Sequence, residues 1–194
     1  MSLADQEHWN ERFRQTDKTP VPARVLTDNQ HLLPVTGKAL DLACGLGGNA
    51  LWLAEKGLCV EAWDCSTVAL GRLAQRAAEK KLPVTTRQVD LDEDVLPETA
   101  FDLIVVSGFL SRPLCSAIAK ALRPGGLLAY QTFTQAKPLA NLHGPRNANY
   151  LLAPGELLRL FHGLSPCVYR DENGYGDLQQ GLRNQAYLLA CRTE

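Results

Sequence analysis

Short apolar runs that alternate with amphipathic stretches organise the middle of the chain. Five of these runs are predicted to be strands: Lys38–Ala43, Cys59–Trp63, Pro83–Val89, Phe101–Ser107 and Leu127–Phe133. The stretches between them place apolar residues at helical spacing. Strands that alternate with helices in this way predict βαβ units, and therefore an α/β fold with a mainly parallel sheet.

Turn and capping residues mark the limits of the predicted helices. Asn49–Lys56 predicts a helix directly after a glycine-rich loop. Ser66 is placed to cap a second helix, which runs to about Lys80. Pro113 suits the first turn of a third helix, where its missing N–H leaves no hydrogen bond unmade. A Pro-Gly-Gly turn at residues 124–126 then leads into the fifth strand.

The two ends of the chain have a different pattern. Residues 4–16 predict a short helix with two aromatic side chains on one face, and a further helix is predicted around residues 22–32. After the fifth strand, a polar loop at 134–153 precedes a short helix at 154–161. Two strand-like runs follow, near 167–170 and 186–192, and the polar segment between them predicts a hairpin connection.

Length and charge limit the class of protein. The 194 residues suit one domain, and a formal net charge of −1 disfavours binding to a polyanion such as a nucleic acid. The N-terminus lacks an apolar signal core, and no stretch approaches the ~18 apolar residues of a spanning helix. No two of the six cysteines form a C-x-x-C pair. We therefore expect a cytoplasmic protein, a monomer or homodimer, with no metal, membrane or nucleic-acid partner.

A glycine loop between two strands is the strongest candidate for a binding site. Gly45 and Gly47 follow the first strand and precede a helix, so a ligand can approach the backbone closely. Asp64 ends the next strand, 19 residues after Gly45, where a carboxylate can accept hydrogen bonds from both hydroxyls of a ribose. The pattern predicts a nucleoside-containing cofactor.

Asp41 distinguishes two cofactors that the glycines alone do not. It lies four residues before Gly45, where a carboxylate would repel the pyrophosphate of a dinucleotide. S-adenosylmethionine has no phosphate, and its ammonium and sulfonium groups both favour a nearby acid. A purely structural interpretation also exists, in which Asp41 braces the loop and Asp64 caps the next helix.

The segment D-x-x-C-G-x-G at Asp41–Gly47 resembles the class I S-adenosylmethionine-dependent methyltransferases. The resemblance covers residues 38–133 and includes Asp64, the Asp90-Leu91 pair, the FDLIVV strand and the RPGG turn. Within this class, the AWDCS and PGELLRLF segments are similar to small tellurite-resistance-type methyltransferases. One departure is Ala43, where the family often has glycine, and we expect its methyl group to be tolerated inside the strand.

The resemblance implies roles for particular residues. Gly45 and Gly47 would pack under the methionine moiety, Asp64 would hold the ribose, and Asp90 with Leu91 would flank the adenine. Ser107, Gly108 and Phe109 would face the methyl donor. The full predicted set for S-adenosylmethionine is Trp9, Arg12, Asp41, Cys44, Gly45, Gly47, Asp64, Cys65, Ser66, Asp90, Leu91, Ser107 and Phe109.

The resemblance also implies the architecture. It predicts a Rossmann-like, seven-stranded, mainly parallel sheet flanked by helices, with an antiparallel C-terminal hairpin. Residues 1–194 would form one methyltransferase domain: a helical arm or lid at 1–35, a cofactor-binding core at 38–133, and a substrate loop with the hairpin at 134–194. A dinucleotide-binding fold would more typically continue with another parallel unit.

The polar loop after the fifth strand is the candidate acceptor site, because ligands of parallel α/β sheets bind at the carboxyl ends of the strands. His143 and Tyr150 are the candidate catalytic residues, and Arg146, Asn147 and Asn149 are candidates for orienting a small polar or anionic acceptor. The same residues also suit a solvated surface loop.

The N-terminal helix offers a second candidate group. Trp9 is placed to cover the cofactor while Arg12 pairs with the methionine carboxylate. The alternative is that Trp9 and Phe13 only fix the arm to the domain.

The predicted function is methyl transfer to a small molecule, with a soft nucleophile such as a thiol or a metalloid oxyanion as one candidate acceptor. A cofactor-binding module without catalysis, and an NAD(P)-dependent oxidoreductase, are the alternatives. RNA or protein methylation is disfavoured by the charge. SGFLSRP also stands where many amino-group methyltransferases have an N-P-P-[YF] type motif.

Overall fold

A computed structural model describes residues 3–136 and 144–194 of the chain. The helices in these ranges are α1 (Leu3–Arg14), α2 (Arg24–Thr27), α3 (Gly48–Glu55), α4 (Thr67–Glu79), α5 (Cys115–Ala121) and α6 (Glu156–Leu160), with short 3₁₀ helices at Gln30–Leu32 and Ala148–Tyr150. The strands are β1 (Lys38–Leu42), β2 (Cys59–Asp64), β3 (Val84–Gln88), β4 (Phe101–Ser107), β5 (Leu122–Phe133), β6 (Ser165–Asp171) and β7 (Gln185–Cys191).

The seven strands form a single sheet in the order β3-β2-β1-β4-β5-β7-β6. Strands β1 to β5 are parallel to one another, whereas β7 runs antiparallel to both β5 and β6. The predicted Rossmann-like sheet with an antiparallel C-terminal hairpin is therefore confirmed. From β1 the strand order extends to one side through β2 and β3, and to the other side through β4 and β5. This change of direction leaves a crevice at the carboxyl ends of β1 and β4.

Both faces of the sheet are covered, which is why its central strands appear in the sequence as continuous apolar runs. In β4, Leu103, Ile104, Val105 and Val106 are all fully buried. One face packs against α2, α3 and α4, and the other packs against α5 and α6. This two-sided core fixes the strand ends that carry the site.

Ser66 caps α4 as predicted, since its hydroxyl oxygen accepts a hydrogen bond from the backbone N–H of Ala69 at 3.1 Å. The helix predicted around residues 22–32 is instead broken into α2 and a 3₁₀ helix. The Asn29 side chain donates to the Val25 carbonyl at 2.9 Å. In a continuous helix, that carbonyl would accept from a backbone N–H instead. Helix α5 begins at Cys115, two residues after Pro113.

The Pro-Gly-Gly turn lies inside β5 rather than before it. Leu122 pairs with Phe101 and Leu127 pairs with Leu103, so the residues between them loop out of the strand. None of the helices in the described part of the chain has the length and apolar content needed to cross a bilayer.

Candidate functional site

The loops after β1, β2, β3 and β4 meet at one edge of the sheet. β1 lies between β2 and β4, and β3 lies beside β2, so the carboxyl ends of all four strands are neighbours. The predicted cofactor residues after these strands are therefore brought to the same crevice. Whether they contact a cofactor there stays a prediction.

The glycine loop after β1 has an unusual backbone. Ala43, Gly45 and Gly47 have φ values of 55°, 51° and 78°, all in the left-handed region. Gly47 occupies the N-cap position of α3, and its N–H donates to the Cys44 carbonyl at 2.9 Å. The expectation that Ala43 lies inside the strand is wrong, because β1 ends at Leu42. Its methyl group adds strain that a glycine would avoid.

The Asp64 carboxylate joins the glycine loop to the start of α4. Its two oxygens accept hydrogen bonds from the N–H of Gly45 at 2.8 Å and of Ser66 at 2.9 Å. The residue is 7% exposed, and this burial raises the pKa of the carboxyl group. Each carboxylate oxygen has a second lone pair, so these bonds leave acceptor capacity for a ligand hydroxyl.

Asp41 lies in β1, four residues before Gly45, as the sequence prediction had it. It is fully buried, and its oxygens accept from the Asn49 side chain at 3.2 Å and from the Ala50 N–H at 3.0 Å. Its expected effect on a nearby cationic cofactor stays a prediction. The acid binds the first turn of α3 and braces the loop from below, which is the structural alternative considered above.

Burial also raises the pKa of Asp41 to about 7, since an isolated carboxylate is poorly solvated inside the sheet. The folded protein then holds a proton that the unfolded chain releases near pH 4. This group's contribution to stability is consequently full below about pH 4 and is lost as the pH rises to about 7.

We predict that the free energy of unfolding of the wild-type protein decreases between pH 5 and pH 7.5, and that the decrease exceeds that of Asp41→Asn by on the order of 2 kcal/mol. Asparagine keeps an acceptor for the Ala50 N–H but cannot ionise. Urea unfolding of both proteins at the two pH values measures the difference. Parallel stability curves would contradict the buried, titrating carboxyl group.

Asn49 is a site residue that the sequence analysis missed. Its amide nitrogen donates to Asp41 and to the Ser107 hydroxyl at 2.8 Å, and its oxygen accepts from the Ala23 N–H at 2.8 Å. One side chain therefore joins β1, the end of β4 and the segment before α2. Nothing in its spacing indicated this role, because its partners lie far apart in the chain.

Helix α1 packs across the glycine loop and the start of α4. The Asn10 side-chain oxygen accepts from the Ser66 hydroxyl at 2.8 Å and from the Val68 N–H at 3.3 Å. The Phe13 ring approaches Gly45 so closely that a Cβ atom added there would lie 3.2 Å from the ring Cζ. The helical arm is therefore fixed over the candidate cofactor site.

The aromatic residues of α1 support this attachment. Trp9 and Phe13 stack with ring centroids 5.8 Å apart, and the Arg12 guanidinium lies 5.1 Å from the Trp9 centroid. Arg72 of α4 donates to the carbonyls of Phe13 and Thr16 at 2.6 and 2.8 Å. These contacts favour a structural role for the ring pair. A contact between Arg12, which is exposed, and a cofactor carboxylate stays a prediction.

The other predicted cofactor residues complete the edge of the crevice. Asp90 is partly exposed and forms a turn in which its carboxylate accepts from the Asp92 N–H at 3.0 Å, while Leu91 is buried in the core. Phe109 is half-buried after β4. Whether these residues flank an adenine or face a methyl donor stays a prediction.

The two cysteines of the site are neutral thiols. Cys44 and Cys65 are buried, and burial raises the pKa of both, that of Cys65 to about 12. The Asp64 carboxylate adds to this effect, because it disfavours a second negative charge nearby. Both thiols therefore line the loop as small, unreactive groups.

The predicted acceptor residues lie at the surface. Arg146, Asn147, Asn149 and Tyr150 are all exposed, and Asn147 caps the short 3₁₀ helix through the Asn149 N–H at 3.0 Å. His143 lies outside the described residues. The structure thus places four of these residues on one surface segment and does not enclose them in a pocket.

Arg112, a second residue that the sequence analysis missed, holds this surface segment in place. Its guanidinium binds both oxygens of Glu156, at 2.7 and 3.0 Å, and donates to the carbonyls of Asn149 and Leu151 at 2.7 and 3.1 Å. The hydrogen bonds from Arg112 lower the pKa of Glu156, so the pair is ionised at neutral pH. It connects the loop after β4 to the candidate acceptor segment.

We predict that Arg112→Met raises the hydrogen–deuterium exchange of the amides in residues 149–156 and lowers the free energy of unfolding by roughly 1–2 kcal/mol. The substitution removes every donor while keeping much of the side chain's length. Arg159→Met, at an exposed position of α6, is the matched control. Unchanged exchange in 149–156 would mean that Arg112 does not hold the segment.

Comparison with known proteins agrees with this geometry. Residues 39–126, which include the glycine loop, Asp64 and the end of β4, match the family described as a methyltransferase domain. An uncharacterized methyltransferase of Synechocystis is 34% identical over 135 residues, which cover 66% of this chain and 55% of that protein. The probable S-adenosyl-L-methionine-dependent methyltransferase TehB of Haemophilus influenzae is 26% identical over 144 residues, covering 71% and 49%.

The fold is similar to that of one of these relatives. The crystal structure of TehB from Haemophilus influenzae superposes with a TM-score of 0.69 at 20% sequence identity, covering 96% of this chain and 66% of that one. The chain spans about half the length of the curated relatives it matches.

Proposed function

We propose that this chain is a class I methyltransferase, which binds S-adenosylmethionine in the crevice after β1 and transfers the methyl group to a small-molecule acceptor. The observation that carries the proposal is the match of residues 39–126 to a methyltransferase domain. That match spans all but the first residue of the β1–α3–β2 unit, whose loop and acid form the crevice.

The residues of the crevice fit the chemistry of this cofactor. The left-handed glycine loop would present its backbone to the ligand, while the missing side chain at Gly45 makes room for the Phe13 ring of α1. Asp64 keeps spare acceptor capacity for ribose hydroxyls. Asp90 and Leu91 would hold the adenine, and Ser107 with Phe109 would face the methyl donor. When bound, the cofactor supplies a methyl group already activated by its positively charged sulfur.

The protein's own contribution is then orientation and exclusion of water. An acceptor must lie in line with the S–CH₃ bond, and such positioning contributes several kcal/mol to a rate enhancement, on the order of 7 kcal/mol or more in well-oriented systems. Helix α1 would cover one side of the crevice. The segment held by Arg112 would bound the other, with Arg146, Asn147, Asn149 and Tyr150 at its mouth.

We further propose a soft acceptor such as a thiol or a metalloid oxyanion. These nucleophiles need little or no proton removal before they attack, whereas a hydroxyl or amine needs a general base. Support comes from the resemblance of the AWDCS and PGELLRLF segments to tellurite-resistance-type methyltransferases and from the exposed Arg146, whose guanidinium can attract an oxyanion.

Single-turnover methyl transfer tests this function. The protein, loaded with S-adenosylmethionine labelled in the methyl group, is mixed with a panel of thiols, metalloid oxyanions and common metabolites. We expect label transfer to at least one soft acceptor. Tight cofactor binding without transfer to any acceptor would favour a non-catalytic, cofactor-binding module instead.

A further inference from the structure

The Phe133 ring fills the gap between the end of β4 and the candidate acceptor segment. A Cβ atom added to Gly108, just after β4, would lie 3.9 Å from the ring Cε2. A Cβ atom added to Gly144 would lie only 2.8 Å from Cδ1 and 3.1 Å from Cε1. Gly144 therefore has no room for a side chain pointing toward the ring, whereas a Cβ atom at Gly108 would only reach ordinary van der Waals contact with its other edge.

The backbone that carries this ring is fixed on both sides. The Phe133 carbonyl accepts from the Leu152 N–H at 2.8 Å, and the Gln135 N–H donates to the Leu152 carbonyl at 2.9 Å. On its other side Phe133 pairs with Gln185 of β7. The ring can therefore move only through its two side-chain torsions, and Gly144 packs against one of its edges.

The Phe133 ring lies beside the proposed position of the methyl group. The Gly108 N–H donates to the Gln131 carbonyl at 2.9 Å, which places the end of β4 directly against β5, two residues before Phe133. Ser107 and Gly108 are the residues proposed to face the methyl donor. The ring therefore bounds the space into which the methyl group points and from which an acceptor must approach.

We propose that Phe133 determines specificity in this site by limiting the size of the group on the cofactor sulfur and of the acceptor opposite it. This inference rests on the proposed function. It assigns the site to small acceptors, since a bulky one would have to displace a ring that packs closely against Gly144.

Binding of sulfonium analogues tests the inference without knowledge of the acceptor. Calorimetry would compare S-adenosylmethionine with the analogue in which a benzyl group replaces the S-methyl group. We expect the wild-type protein to bind the benzyl analogue about tenfold or more weakly, and Phe133→Ala to reduce this difference to about threefold or less. The affinity of both proteins for S-adenosylhomocysteine should agree within about twofold.

Further variants keep the test decisive. Phe133→Leu retains a large apolar side chain and should show an intermediate ratio even if the alanine variant does not fold. Tyr175→Ala removes an exposed aromatic residue of the β6–β7 connection and should leave the ratio unchanged. Equal binding of both sulfonium ligands by the wild-type protein, or an equal ratio in all variants, would overturn the role of Phe133. Failure of the wild-type protein to bind any adenosyl ligand would instead overturn the proposed function.

Discussion

Asp64→Ala is expected to weaken the binding of S-adenosylhomocysteine by about 1.5–3 kcal/mol, the scale for losing hydrogen bonds to a charged group. This corresponds to a dissociation constant that is roughly 10- to 150-fold higher. Two losses contribute. The proposed bonds to the ribose hydroxyls disappear, and the Gly45 N–H loses the carboxylate that holds the glycine loop against β2. Isothermal titration calorimetry measures the change directly.

The control for this prediction lies on the same strand. Glu61 pairs with Lys38 and stands three residues before Asp64, away from the carboxyl end of β2. Glu61→Ala should leave the affinity within about twofold of wild type. Asp64→Asn, which keeps one acceptor oxygen, should lie between the two. Wild-type affinity in Asp64→Ala would remove Asp64 from the binding site.

Gly45→Val is expected to abolish detectable binding of S-adenosylhomocysteine while the fold persists. Gly45 has a φ of 51°, a conformation that costs a β-branched residue about 1–3 kcal/mol. The first added carbon would also lie 3.2 Å from the Phe13 ring, so valine displaces α1 from the loop. The space that the ligand would occupy is lost together with the shape of the loop.

Gly163→Val is the matched control, because a Cβ atom at Gly163 meets nothing within 4 Å. It introduces the same side chain outside the crevice and should bind as the wild-type protein does. Circular dichroism establishes that both variants are folded before calorimetry. Normal binding by a folded Gly45→Val protein would mean that the ligand does not lie on this loop.

The fold was predictable because each of its signals is local. Buried parallel strands such as β4 are continuous apolar runs, and Ser66 bonds to an N–H only three residues away. The helix predicted at 22–32 failed for an equally local reason, since the Asn29 side chain takes the partner that a backbone N–H would use. A sequence pattern does not show whether the Asn29 side chain or a backbone N–H binds the Val25 carbonyl, because asparagine is also found on helix surfaces.

The site was predictable only in outline. The glycines and Asp64 stand where the loop geometry requires them, and this is visible in their spacing. The contacts of Asp41 are not visible in the sequence, because they depend on the donors of Asn49 and Ala50 and on burial from every side. Arg112 escaped prediction because its carboxylate partner, Glu156, lies 44 residues away. Long-range polar partners of this kind leave no periodic signal.

Paired calorimetric titrations of the wild-type protein with S-adenosylhomocysteine and with NADH test the central claim most directly. The account predicts binding of S-adenosylhomocysteine in the micromolar range or tighter, with no measurable heat from NADH. Micromolar binding of NADH without binding of S-adenosylhomocysteine would contradict it.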